Sequence, residues 1–180
     1  MSHEFETVTT RRGDGGQSSD YAGRLDWKDS PLFGVLGDLD ELSSWLGLIV
    51  HDEPWWHRKA RQSLRTAQAK LQTLGSMVAT PPDSPEAERI SRVTSADVDE
   101  IEQWEQRIFA GGLMIKPHFV LPGNTPASAR ADVARTVCRR AERNFVGLIR
   151  HSNRSDLVAG ARYLNRLSDW LYLLARNRER

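Results

Sequence analysis

The spacing of apolar side chains constrains this chain more than any other feature. Leu32, Val35, Leu36, Leu39, Leu42, Leu46 and Ile49 recur at steps of three and four after Pro31, a residue suited to the first position of a helix. Leu64, Ala67, Leu71, Leu74 and Val78 keep the same rhythm in a pattern that begins at Pro54 and should end near Ala79. A third stripe, Val98, Ile101, Trp104 and Ile108, follows a cap at Thr94 or Ser95, carries Asp97 and Asp99 in its first turn, and stops at Gly111-Gly112. Thr125 and Pro126 open a fourth through Ala134, Cys138, Ala141, Phe145 and Leu148, and a fifth runs from about Asp156 to Arg176 through Leu157, Ala161, Leu164, Leu171 and Leu174. No segment reads as a convincing strand and no repeat has a fixed period, so the expected fold is an all-α bundle of five helices.

The connections are equally legible. Thr80-Pro81-Pro82-Asp83-Ser84-Pro85 is a linker, since proline cannot sit in a helix interior. Leu113 to Asn124 holds Met114, Ile115, Phe119, Val120 and Leu121 between prolines; it is too short for a helix and too apolar for a solvated loop, so it should bury itself. Val8 to Lys28 is rich in Gly, Ser and Asp without an apolar period. The expected organisation is one domain, with residues 1–30 as a loop segment and residues 31–180 as the bundle. Cys138 is the only cysteine, which excludes an intramolecular disulfide and reads as a small buried hydrophobe. Met1 to Glu6 lacks the pattern of a secretory signal, and Asp38, Asp40 and Glu41 interrupt the most apolar run, so a cytoplasmic chain without a membrane span is expected.

The formal net charge is only +1, yet 21 of the 25 basic side chains are Arg, and 12 Arg face 5 acids between Arg130 and Arg180. Guanidinium forks suit carboxylates and phosphates, although a compositional bias of the genome would give the same count. Arg135, Arg139 and Glu142 lie at i, i+4 and i+7, within about 60° of one another on a helix and about 100° from the core line. That stripe borders the bundle, with Arg140 and Arg143 continuing around it, and reads either as a solvated charged face or as a grip on triphosphate oxygens. Arg162, Asn165 and Asp169 form a second stripe, in which Asn is a poor mid-helix choice. Asp38, Asp40 and Glu41 are surface acids or partners for the fourth-helix arginines, from the same chain or a neighbouring subunit. The Thr10 to Ser19 loop is neither a Walker A motif nor a dinucleotide fingerprint, but its backbone amides could form an anion nest to which Arg11, Arg12 and Lys28 add charge. His51, Asp52, Glu53 and His57 are split by Pro54 and read as a connection, not a metal site; the spacing of Trp55-Trp56 decides nothing.

Five ordered motifs carry a resemblance. They are Thr10-Arg11-Arg12-Gly13-Asp14-Gly15-Gly16, Gly37-Asp38-Leu39-Asp40-Glu41-Leu42, Phe119-Val120-Leu121-Pro122-Gly123, Ala134-Arg135-Thr136-Val137-Cys138-Arg139-Arg140-Ala141-Glu142-Arg143, and Tyr163-Leu164-Asn165-Arg166-Leu167-Ser168-Asp169. Together they resemble the PduO-type ATP:corrinoid adenosyltransferases across nearly the whole chain. The resemblance implies a homotrimer of five-helix bundles with a ferritin-like up-and-down core, and it makes residues 1–30 the ATP-binding loop segment. It implies that Thr10, Arg11, Arg12, Gly13, Ser18, Ser19 and Lys28 wrap ATP, while Arg139, Arg140, Glu142, Arg143 and Asn165 complete the nucleotide site from the adjoining subunit. Asp40 would pair with Arg135 across that interface, and Phe119 would press on the lower face of the corrin. Arg135, Arg139, Phe119 and Asp40 would thus carry catalysis. Co(I) would attack the 5′ carbon of ATP in line and triphosphate would leave; Mg²⁺ would be held mainly by ATP oxygens and water. A cob(II)alamin reductase, or an enzyme receiving the adenosylated product, would be the protein partner.

This chain departs from the family pattern at Arg11, where Lys is usual, at Ser43, where Asn is common, at Asn124, in place of a second Gly, and at Asp20 and Ala22 in the loop. Those departures motivate a second reading, a non-catalytic nucleotide or corrinoid carrier or sensor of the same fold. A nucleic-acid binder is disfavoured, because the net charge is near zero and no recognised motif is present.

Overall fold

The structure is a computed structural model that describes residues 7–52 and 58–179. Among those residues a hairpin, β1 (Gln17–Ser19) and β2 (Leu25–Trp27), precedes five helices: α1 (Pro31–Asp52), α2 (Arg58–Ala79), α3 (Ser95–Ala110), α4 (Pro126–Ser152) and α5 (Val158–Asn177). Single 3₁₀ turns, Pro85–Glu88 and Ser155–Leu157, lie before α3 and α5. The expected helix start at Pro54, the Trp55-Trp56 pair, Glu53, His57 and the Met1 to Glu6 stretch lie outside the described residues. No described helix is long and apolar enough to cross a membrane.

The five stripes converge on one core. α4 contributes mostly small side chains to it: Ala131, Ala134, Cys138 and Ala141 are completely buried. Their size lets α4 lie close to both α1 and α5, its two main packing neighbours. The Cys138 thiol donates to the Leu164 carbonyl at 3.3 Å, and burial pushes its ionisation well up from the usual thiol range, so it is inert packing as the sequence suggests. α3 joins the bundle through Trp104, whose ring lies 5.1 Å from that of Trp170 on α5. Its N-terminus is fixed by Asp97, which accepts from the Thr94 backbone N–H at 2.7 Å and pairs with Lys70 of α2 at 2.5 Å. Buried Arg154, in the turn between α4 and α5, donates to the carbonyls of Met77 at 2.7 Å and Thr80 at 3.1 Å, satisfying groups that the end of α2 leaves open.

Two expectations are corrected. First, the hairpin is a sheet where no strand was read: Gln17 pairs with Trp27 and Ser19 with Leu25. Three-residue strands are too short for alternation to show, and the turn depends on Asp20, whose Oδ1 accepts from the N–H groups of Ala22 and Arg24, both at 2.9 Å. Second, the apolar segment before α4 does not bury itself. Leu113 is covered, but Met114, Leu121 and above all Phe119 are exposed. The segment overhangs a cavity whose opposite wall holds the charged side chains of Asp132, Arg135 and Arg176 beside the Tyr172 ring.

Among the bundle's glycines the tightest surroundings are at Gly160 on α5, where an added Cβ would sit 2.6 Å from Leu74 Cδ2 and 2.9 Å from Phe145 Cζ. Gly160→Ala should therefore destabilise the protein by about 1–3 kcal/mol through overpacking. Urea unfolding followed by helical circular dichroism checks this, since a gain from higher helix propensity would have the opposite sign.

Candidate functional site

α4 is the backbone of the site, and its rotation divides its arginines between two tasks. Its start is fixed by Thr125, whose hydroxyl accepts from the Ser128 N–H at 3.0 Å, with Pro126 in the first turn. Arg140 turns toward α1: its Nε donates to Asp38 Oδ1 at 2.8 Å and its Nη2 meets Glu41 Oε2. Asn144 donates to the other oxygen of Asp38 at 2.7 Å. Asp38 and Glu41 are thus partners of the fourth-helix arginines within the same chain, and the buried Asp38 carboxylate is satisfied on both oxygens. Asp40 points the other way, exposed beside a shallow hollow with Leu36, Ser43 and Gly75.

Arg135 and Arg139 stand at the seam between α4 and α5. A cavity of 400 Å³ is lined by Arg135, Arg139, Glu105, Phe109, Asp169 and Tyr172. A neighbouring one of 460 Å³ is lined by Phe119, Val120, His118, Asp132, Arg135, Tyr172 and Arg176. Arg135 and Tyr172 belong to both, so they form the partition. Arg139 is exposed and its guanidinium makes no hydrogen bond or ion pair with any described residue, whereas Arg135 Nε donates to Asp132 Oδ1 at 3.3 Å. Arg143 lies further round the surface, its guanidinium donating to the Arg139 carbonyl at 3.1 Å. Asn165 bridges helices: its Nδ2 donates to Glu142 Oε1 at 2.9 Å, and its Oδ1 accepts from Arg166 at 2.7 Å. Arg166 in turn pairs with Asp169 at 3.0 Å and Glu102 at 3.2 Å, while Arg162 is exposed.

The loop forms a separate cluster. Its backbone closes two successive turns, Asp14 N–H to Arg11 carbonyl and Gly16 N–H to Gly13 carbonyl, both at 3.2 Å. Lys28 folds over them, donating from Nζ to the Gly13 carbonyl at 2.7 Å. Gly13 permits that approach, for a Cβ there would sit 2.7 Å from Lys28 Nζ. Thr10, Arg11, Arg12 and Ser19 are exposed and Ser18 half-buried. The cluster is tied to the far end of α2, by the Tyr21 N–H to the Ala79 carbonyl at 2.8 Å, and to the following linker by Arg24 and Asp83 at 3.0 Å. No hydrogen bond or ion pair of its described residues reaches α4. Within one chain, then, Arg135, Arg139 and Phe119 meet around adjoining cavities and the Thr10 to Lys28 group meets around the loop, but the two halves do not meet each other. Asp40 and Arg135 likewise share no bond. Of the lining residues named above, Glu105, Phe109, His118, Asp132, Tyr172 and Arg176 escaped the sequence reading.

Comparison with known proteins bears directly on this arrangement. The cobalamin adenosyltransferase family matches residues 8–178. The human corrinoid adenosyltransferase MMAB is 34% identical over 171 residues, covering 94% of this chain and 67% of its own length. A corrinoid adenosyltransferase from Citrobacter freundii is 35% identical over 173 residues, 96% of this chain and 94% of its own. Among solved structures, a phenylalanine-to-alanine variant of the PduO-type ATP:corrinoid adenosyltransferase from Lactobacillus reuteri, complexed with cobalamin and ATP, superposes with a TM-score of 0.82 at 29% identity, covering 96% of this chain and 93% of that one.

Glu105 gives the site an ionisation of its own. Its Oε1 is buried without a hydrogen-bond partner, and burial, reinforced by repulsion from Asp169 and Glu102 against the attraction of Arg166, raises its carboxyl from 4.5 to about 7. A raised folded-state value means that the stabilisation linked to the bound proton is complete below pH 4.5 and is lost as pH rises to about 7. Glu105→Gln removes that titration. Wild-type stability relative to the variant should fall across this window and level off above it, in paired urea unfolding series; a difference constant with pH would contradict the assignment.

Proposed function

The chain belongs to the cobalamin adenosyltransferase family, and from that premise we propose which of its residues carry the reaction. It is a corrinoid adenosyltransferase, transferring the 5′-deoxyadenosyl group of ATP to the Co(I) centre of a reduced corrinoid. The observation that carries the assignment of residues is the partition: one cavity holds the uncommitted Arg139 guanidinium and the next holds the exposed Phe119 ring, with Arg135 and Tyr172 between them. In this reading the first cavity takes the triphosphate and the second takes the corrin.

The protein supplies no nucleophile, because Co(I) is one. Its tasks are to place the 5′ carbon in line with cobalt, to stabilise charge gathering on the departing triphosphate, and to exclude water. Arg139 is suited to the second task because it is not spent on another carboxylate. Arg143 and the Glu142–Asn165 pair border the same edge; Arg140, held by Asp38 and Glu41, sets the rotation of α4 and contributes its charge at longer range. Phe119 placed under the corrin occupies the space of a lower axial base, leaving cobalt four-coordinate and easier to reduce.

The loop cluster completes the nucleotide site from an adjoining subunit of a homotrimer. Two features support this: Arg11, Arg12 and Lys28 gather away from Arg139 within the chain, and Met114, Phe119 and Leu121 lie uncovered. Across the same interface Asp40 would meet Arg135. Asp20, a departure from the family pattern, supports the loop by organising its hairpin turn. Among the described residues no group of three or more His, Cys, Asp or Glu side chains converges as a metal cage. Mg²⁺ accompanying ATP would be held mainly by phosphate oxygens and water. The reading places the enzyme in the cytoplasm, supplied by a cob(II)alamin reductase.

Arg139→Ala should lower turnover by about 10²–10³-fold, the range for losing a donor to developing negative charge, without loss of helicity. Phe119→Ala should leave the KM for ATP within about threefold while impairing the four-coordinate cobalt species seen in the visible spectrum. Mixed assemblies of Arg139→Ala and Arg12→Ala chains should regain turnover that neither has alone. Wild-type turnover by Arg139→Ala, or no complementation on mixing, would overturn the residue roles and the shared site respectively.

A further inference from the structure

Asp132 is the most completely enclosed carboxylate near the seam: the residue is 4% exposed, and its two oxygens face different helices. Oδ1 accepts from Arg135 Nε, one turn on along α4, at 3.3 Å. Oδ2 accepts from Nη2 of Arg176 on α5, itself only 7% exposed. Arg176 then pairs with Glu179 at 3.1 Å and stacks over the Tyr172 ring, 5.2 Å from its centroid. One buried carboxylate is therefore joined directly or through Arg176 to both residues of the partition between the two cavities. A buried charge between two guanidiniums is held firmly, since moving either partner leaves it unsatisfied. Fixing Arg135 through Nε leaves both of its Nη groups without a partner among the described residues, available to whatever enters the seam.

We propose that Asp132 is a positioning residue for adenosyl transfer: by holding Arg135 and, through Arg176, the Tyr172 ring, it fixes the partition against which ATP and the corrinoid are aligned. This rests on the reading of the two cavities given above. The effect belongs to alignment in the transition state more than to ground-state binding, because Asp132 itself is shielded by the two arginines it holds. A misplacement of the order of 1 Å at the partition is enough to cost about a hundredfold in rate.

The test is steady-state adenosylation by the full-length protein with a chemically reduced corrinoid. Wild-type turnover comes first and bears on the functional reading alone. Asp132→Asn keeps the shape and removes the charge; kcat should fall at least tenfold while the KM for ATP stays within threefold, with helicity unchanged. Asp132→Glu should recover part of the loss. The double variant Asp132→Asn/Arg135→Gln should lose clearly less than the product of the two single losses, because Arg135 transmits one part of the effect and Arg176, through Tyr172, the other. A kcat for Asp132→Asn within twofold of wild type, or losses that multiply in the double variant, would overturn the proposal while leaving the enzyme assignment intact. If Asp132→Asn does not fold, Asp132→Glu decides, for it retains the charge but displaces it by a methylene. A reduced kcat with unchanged KM then supports the proposal and a wild-type kcat refutes it.

Discussion

The structure depends on how little side chain α4 places between itself and its neighbours. Ala131, Ala134, Cys138 and Ala141 fill the contact with α1 and α5. Small side chains along this stretch let the helix axes approach, and further along α4 the larger Phe145 is accommodated by Gly160. Close approach brings the flanks of α4 against the flanks of its neighbours, so residues about 100° from the core line stand in a seam, half in water and half against protein. Arginine suits that position, with a stem that packs and a fork that reaches out. Gly160 is the same constraint on α5, where even a methyl group would meet Leu74 and Phe145.

The split between Arg139 and Arg140 follows from this geometry. Adjacent residues on a helix differ by about 100° in direction, so one faces α1 and the other faces the α5 seam. Arg140 finds Asp38 and Glu41 and becomes part of the α1–α4 contact. Arg139 finds no acid of its own. A guanidinium kept free of carboxylates can give its donors to a polyphosphate without first breaking an ion pair. Asp38 does more than hold Arg140, for its second oxygen takes Asn144 and pins the rotation of α4 against α1 at two levels.

Most of the fold was legible because helices advertise themselves by period, and the arginine stripe was legible because its residues share a helix. What remained hidden depends on which helix faces which. Asp132, three residues before Arg135, reads as an ordinary intrahelical pair until Arg176 arrives from α5 on its other oxygen. Glu105 follows Trp104 at the edge of an apolar stripe, and it is burial in the packed bundle, reinforced by Asp169 across from it, that raises its carboxyl. Asn165 is a poor helix former, and the reason for its presence, a bridge from Glu142 to Arg166, is tertiary. The segment around Phe119 misled for a different cause. Apolar composition predicts contact with something, but not that the something belongs to the same chain.

That last failure accords with the shared site proposed above. Within one chain the apolar segment is uncovered, the loop cations gather at the far end of α2, and the Arg139 guanidinium forms no ion pair among the described residues. Each is unfavourable or unremarkable alone, and each is what a surface awaiting a flat apolar ligand and a polyanion would present. A single subunit that closed over its own site would have to bury these cations together without an anion, at a cost of several kcal/mol for each unpaired charge. In the shared site proposed above, distributing them between two surfaces would avoid that cost until nucleotide is present to neutralise them. The same logic accounts for the cluster that is buried in the absence of ligand: Asp132 is paired on both sides within the chain, so the partition can be rigid before either substrate arrives, while the walls on either side of it remain open.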